Sequence, residues 1–215
     1  MFQSASSPRP GRLVTFTAVF VILAGVLGAV APSSSQAGPP RPSPFPVRWE
    51  LDFAAGPLRL FVHPADGSTW WYFTYRVTNR TGRDQVWAPD LVLYTDAGRI
   101  LDAGNGVPTR VTEAIRNLLG DELLETQSEI IGDLLRGPEH ARDGLAVWPA
   151  ENLSVNEMSL FVGGLSGETA RVLHPRTGQQ YILRKTLQRD YLIRGDAVAR
   201  GSDPVEVAGE QWIMR

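Results

Sequence analysis

Ser68–Asp84, STWWYFTYRVTNRTGRD, is the stretch that decides the fold. Five aromatic residues lie between Trp70 and Tyr75, and aromatic and β-branched side chains run on to the turn residues Asn79–Gly82, which is the composition of a strand. Side chains alternate along an extended backbone, so the stretch divides into two rows. Trp71, Phe73, Tyr75 and Val77 form an unbroken apolar row and are expected to face a core. Trp70, Tyr72, Thr74, Arg76 and Thr78 form the other. Two readings of this second row stand side by side. Trp70 and Tyr72 are spaced to stack on a sugar ring, with Arg76 as a polar anchor, or they are covered by another part of the fold, since a monomer rarely leaves large aromatics bare.

Outward from this strand the same period of two recurs. Val47, Trp49, Leu51 and Phe53 alternate with Arg48, Glu50 and Asp52; Ala55-Gly56-Pro57 reads as a turn, and Leu58, Leu60 and Val62 resume the pattern. Leu91–Thr95 and Arg99–Leu101 flank the turn Asp96-Ala97-Gly98. Further strand signals are Leu145–Trp148, Met158–Val162, Ala170–Leu173, Tyr181–Arg184 and Trp212–Met214, with a hairpin turn at His174–Gly178. Short strands spaced by glycine turns predict a mainly β chain, an antiparallel β-sandwich.

Residues 109–136 break this rhythm, because the apolar period changes to about 3.6. A first helix is expected from Thr109 to Leu119 through Val111, Ile115, Leu118 and Leu119. A second is expected to start at Asp121 and to carry Leu123, Leu124, Ile130, Ile131, Leu134 and Leu135 on one stripe, until Gly137 and Pro138 stop it. The sequence therefore predicts a two-helix insertion in the β domain. Glu122, Glu125, Glu129 and Asp133 recur at spacings of three and four on the outer face of that second helix. Such a stripe is either a docking face for a basic partner or divalent cation, or a solvated face.

The amino terminus carries targeting information. Arg9 and Arg12 precede an acid-free apolar run, Leu13–Ala31, and Ser35-Gln36-Ala37 offers small residues at a cleavage position. Residues 1–37 read as a signal peptide, or as a retained membrane anchor, because the run of 19 residues is long enough to span a bilayer. Residues 38–46, GPPRPSPFP, hold five prolines in nine positions and read as an extended linker. Residues 47–215 then form a single domain outside the cytoplasm, periplasmic or associated with the envelope. Its contact with a membrane is expected only through an uncleaved N-terminal segment.

Composition narrows the chemistry further. The chain has no cysteine, which removes disulfides, thiolate nucleophiles and cysteine-ligated metals. Arg9 and Arg12 are the only basic residues before Gly38, so residues 38–215 carry 19 of the 21 basic and all 23 acidic residues, a net charge of −4. Nucleic-acid binding wants a clustered basic excess, and none is present. His63, His140 and His174 sit beside turn signals and read as exposed loop histidines, in no metal-chelating spacing. Gly163–Gly167, GGLSG, lacks the Gly-x-Ser-x-Gly frame of a nucleophile elbow and reads as a turn. No cofactor motif occurs. Arg171, Arg176, Arg184, Lys185, Arg189 and Arg194 gather near the C-terminal hairpin, either as an anion-binding patch or as partners of nearby carboxylates. Asn79-Arg80-Thr81 and Asn152-Leu153-Ser154 fit glycosylation sequons.

Two quoted stretches carry a resemblance. Tyr75–Gly82, YRVTNRTG, followed by Leu91–Gly98, LVLYTDAG, resembles the strand and turn pattern of FxLyD-type immunoglobulin-like domains in bacterial envelope proteins. The chain as a whole is similar to a family of exported proteins from GC-rich bacteria, from which no activity can be carried over. The resemblance implies an accessory, immunoglobulin-like β-sandwich of the envelope, from which this chain departs by its helical block. The expected function is non-enzymatic, an interaction or structural module with an envelope protein as partner. The alternative is a carbohydrate-binding module that presents Trp70 and Tyr72 to a glycan.

Overall fold

The structure, a computed structural model, describes residues 38–215; the targeting segment assigned to residues 1–37 lies outside the described residues. Residues 38–215 form one compact unit. It is mainly β, with several antiparallel sheets and one short helix. No helix among the described residues is long and apolar enough to cross a membrane.

The aromatic stretch is strand β2 (Thr69–Asn79), flanked by β1 (Asp52–Val62) and β8 (Gly137–Pro149). With β6 (Glu125–Thr126) these make a four-stranded sheet in the order β1-β2-β8-β6. The second sheet runs β10-β11-β9-β4-β5, with β12 paired to β11, and is built from β4 (Asp90–Thr95), β5 (Ile100–Asp102), β9 (Glu157–Gly163), β10 (Thr169–Leu173), β11 (Gln180–Leu192) and β12 (Glu206–Met214). A small third sheet pairs β3 (Gln85–Trp87) with β7 (Gly132–Leu134).

The parity of β2 holds. Trp71, Phe73, Tyr75 and Val77 enter one core together with Leu58 and Leu60 of β1 and Trp148 of β8. Leu91 and Leu93 of β4, Leu160 and Val162 of β9, and Leu187 and Tyr191 of β11 meet them from the six-stranded sheet. Side chains from both sheets thus enter one apolar cluster, which removes them from water. On its other face β2 presents Trp70 and Tyr72 to a second, smaller core. Phe61, Leu145 and Val147 from the same sheet join them, and Val111, Ile115 and Leu124 close over the top.

The first predicted helix is present with the predicted bounds, α1 (Thr109–Leu119). Val111 and Ile115, one turn apart, are the residues it buries, while Leu118 and Leu119 stay exposed. Gly120 stops it in the left-handed conformation, φ 63° and ψ 26°, and its N–H donates to the Arg116 and Asn117 carbonyls, the usual helix-ending role of glycine.

The second predicted helix is absent, and with it the two-helix insertion. Residues 121–136 run as turns, β6 and β7. The three apolar doublets explain the misreading. A helix would put both members of Leu123-Leu124, Ile130-Ile131 and Leu134-Leu135 on one stripe, whereas extended chain sends neighbours to opposite sides. Leu124, Ile130 and Leu134 are buried, and Leu123, Ile131 and Leu135 are exposed. Asp121 accepts the Leu123 N–H in a local turn instead of capping a helix.

Two further expectations change. The turn foreseen at Ala55–Pro57 is an irregularity within one continuous strand β1, between Ala55 and Leu58. Gly56 is required there because a Cβ would run into Thr74 on β2. Val47–Leu51 is not strand; only Glu50 makes an isolated bridge, to Ser166.

Candidate functional site

The sequence-predicted site residues do not come together. Trp70 and Tyr72 lie under α1, 8% and 2% exposed, so the structure realises the covered reading and presents no open stacking platform. Burial raises the Tyr72 hydroxyl above its ordinary pKa. Arg76 is exposed and forms a two-pronged ion pair with Asp143 at 2.8 and 2.7 Å.

Without a second helix the acidic stripe does not exist as a face. Glu125 receives both prongs of Arg142, at 2.7 Å each. Glu129 accepts the N–H and hydroxyl of Thr126, which together with its ion pair to Arg116 hold its carboxyl below the usual carboxylate range. Asp133 lies on β7, and Glu122 lies in the turn after α1. Two of the four carboxylates are therefore spent inside the chain. Among the described residues no group of three histidine or acidic side chains is placed to hold a metal ion.

The histidines also separate. His63 is buried rather than exposed, packed edge-on against Phe61, and its Nδ1 accepts the Ala65 N–H. His140 is part of strand β8 rather than a loop. His174 lies at the β10–β11 turn, where its Nδ1 accepts the Arg176 and Thr177 N–H groups. Asn79 of the first sequon is fully buried, which closes it to modification. Its amide donates to the Arg83 and Leu134 carbonyls, and its Oδ1 accepts the N–H and hydroxyl of Thr81. The Asn-x-Thr-Gly pattern is turn chemistry, a side chain holding the loop that follows it.

That loop builds one wall of a groove. A cavity of about 600 Å³ opens between Pro46–Glu50 and Thr81–Gln85, lined by Pro46, Arg48, Trp49, Glu50, Thr81 and Arg83 among others. The volume is within the range of about 300–1,000 Å³ seen for ligand sites. Backbone bonds fix the first wall: the Leu51 N–H donates to Leu165 and the Gly167 N–H to Trp49. The Trp49 indole lies so close to Gly167 that any side chain there would strike it. The glycine-rich turn thus seats the tryptophan. On the second wall the Gln85 amide donates to the Thr81 hydroxyl.

The electrostatics of the groove are unbalanced. Arg80 is paired with Asp52 and Arg136 with Asp84, but Arg48 and Arg83 take part in no ion pair among the described residues. The one carboxylate in the lining, Glu50, is 2.8 Å from the buried Lys185. Two guanidinium groups beside an indole ring offer forked donors and a flat apolar face, a setting for a carboxylate or phosphate group. Sequence reading missed this site. Arg48 belongs to a predicted strand, Trp49 to its core row and Arg83 to a turn, and no local pattern joins position 48 to position 83.

Comparisons of the chain with protein-family models, with curated proteins and with solved structures return no match.

Proposed function

We propose that the chain is an exported, non-enzymatic interaction module of the bacterial cell envelope, built as an immunoglobulin-like β-sandwich. Two mostly antiparallel sheets that contribute to a common core support the sandwich reading. The observation that carries the interaction reading is the groove with Arg48, Arg83 and Trp49 in its lining. Its two cations have no acid of their own, and a guanidinium stays charged at any physiological pH, so it serves recognition rather than proton transfer. The partner that fits is an envelope protein presenting an extended acidic segment, whose carboxylates meet the arginines while its apolar portions lie on Trp49.

Titration with a glutamate-rich peptide, followed by the side-chain N–H resonances of Arg48, Arg83 and Trp49, tests the reading. All three resonances are expected to shift together, less so at high salt because exposed charges are screened. Arg48→Glu with Arg83→Glu abolishes the shifts and leaves the unfolding midpoint in place. Shifts that survive the double reversal, or no shifts in the parent chain, defeat it.

A further inference from the structure

The six basic residues near the C-terminal hairpin separate into two groups. Lys185 pairs with Glu50 and Glu168, Arg189 with Glu210, and Arg194 with Glu206. Arg171, Arg176 and Arg184 have no ion-pair partner among the described residues. All three lie on Thr169–Arg184, the hairpin made by β10, the turn and the first residues of β11.

This hairpin is an arm. β10 pairs only with Gln180–Arg184, while β9 pairs with the later part of β11, residues 187–192. None of residues 169–184 is buried, and burial begins abruptly at Lys185. The arm contains three arginines and no aspartate or glutamate, in a domain whose net charge is negative. Its exposed side chains include Leu173 at 68%, Ile182 at 58% and Tyr181 at 44%.

Register sorts these groups. Thr169 faces Arg184, Arg171 faces Ile182 and Leu173 faces Gln180, and alternation puts all six on one side. That side carries Arg184 on the first rung, Arg171 beside the exposed Ile182 two residues on, and the exposed Leu173 beyond them, with Arg176 in the turn. Apolar side chains flanked by unpaired cations are the combination that enters the boundary between lipid headgroups and acyl chains.

The route of the chain points the same way. Ser43 is fastened at the root of the arm: its N–H donates to Glu168 Oε1 at 2.8 Å, and its carbonyl accepts from Lys185 Nζ at 3.0 Å. Gly38, the first described residue, is five residues upstream of Ser43, a reach of at most about 18 Å. Residues 38–43 therefore start within that distance of the arm's root.

We propose that the Thr169–Arg184 arm docks on an anionic membrane surface, with Leu173 and Ile182 in the headgroup boundary and Arg171, Arg176 and Arg184 on lipid phosphates. This is a membrane contact separate from the N-terminal segment, and it is independent of the groove.

The chain has no cysteine, so a single introduced one can carry an environment-sensitive fluorophore. Full-length Thr177→Cys reports from the arm tip and Ser202→Cys from an exposed control position. The probes are vesicles of phosphatidylcholine containing phosphatidylglycerol, vesicles of phosphatidylcholine alone, and poly-glutamate. Because the apolar N-terminal run can bring the chain to any vesicle, the label at residue 177, rather than co-sedimentation, is the readout. A blue shift at residue 177 on the anionic vesicles, severalfold larger than at residue 202 and reduced by salt, is expected. It disappears in Arg171→Glu with Arg176→Glu and Arg184→Glu, and it shrinks in Leu173→Ser with Ile182→Ser, with circular dichroism unchanged. An unshifted label on anionic vesicles that carry the protein overturns the proposal, as does an equal shift on the neutral vesicles. A shift with poly-glutamate but not with anionic vesicles also overturns it and assigns the arm to an acidic protein surface.

Discussion

Lys185, the only lysine of the chain, holds its Nζ 2.8 Å from Glu50 Oε2 inside the protein. Glu168 lies at 3.6 Å, and the Trp212 ring stands 4.9 Å away, measured to its centre. One ammonium therefore joins the Pro-rich segment, the wall of the groove and the root of the arm. Lys185→Met leaves two largely buried carboxylates without their cation. It is expected to cost about 3–5 kcal/mol in urea unfolding, and hydrogen exchange at the Ser43 amide should accelerate. Adding Glu50→Gln and Glu168→Gln should recover much of that loss, because the charges then leave together.

The smaller core predicts what keeps α1 in place. Val111 and Ile115 are the residues it buries against Trp70 and Tyr72. Ile115→Ala should destabilise the domain by about 2–5 kcal/mol, from lost transfer energy and the cavity left behind. Acrylamide quenching of tryptophan fluorescence should rise as Trp70 becomes accessible. Quenching equal to the parent protein would show that the helix is not its cover.

Alkaline pH should unfold the protein through its buried tyrosines. Burial pushes the Tyr191 hydroxyl up to about 12, and Tyr75 is raised as well, also by burial. An unfolded tyrosine ionises near 10, so between these values the unfolded chain releases its proton first and gains. The contribution of Tyr191 is complete below about pH 10 and is lost as pH rises toward about 12. Tyr191→Phe should flatten that part of the stability profile, measured by thermal unfolding at each pH. An unchanged slope would remove Tyr191 from the account.

Seating of Trp49 depends on Gly167. Gly167→Ala places a methyl group where the indole lies, so the groove wall must move. Binding of the glutamate-rich peptide should weaken about tenfold, equivalent to about 1.4 kcal/mol, while the main core unfolds with little change in midpoint. Unaltered peptide affinity would show that Trp49 is not part of the recognition surface.

The strands of this fold were legible where a local period sufficed. The two rows of β2, the position of α1 and its stop at Gly120 follow from alternation, helical spacing and glycine geometry. Residues 121–136 were not, because paired leucines and isoleucines satisfy a helical stripe and an extended chain equally well. The contrary signals were Gly132, costly within a helix, and the four acids at helical spacing with no cation between them. Two of those carboxylates, Glu129 and Glu125, find Arg116 and Arg142 only in the folded chain. The groove was illegible for a related reason: Arg48 and Arg83 become neighbours through the register of β1, β2 and the loop after Asn79, which no window of sequence contains.

The most direct test of the interaction reading is photocrosslinking in the envelope of cells that naturally make the chain. A photoreactive residue replaces Thr81, inside the groove, or Val86, exposed just outside its lining. A discrete adduct with an envelope protein is expected from position 81, none from position 86, and loss of the adduct when Arg48 and Arg83 are both changed to glutamate. No adduct from position 81, or one indifferent to that charge reversal, contradicts the interaction reading.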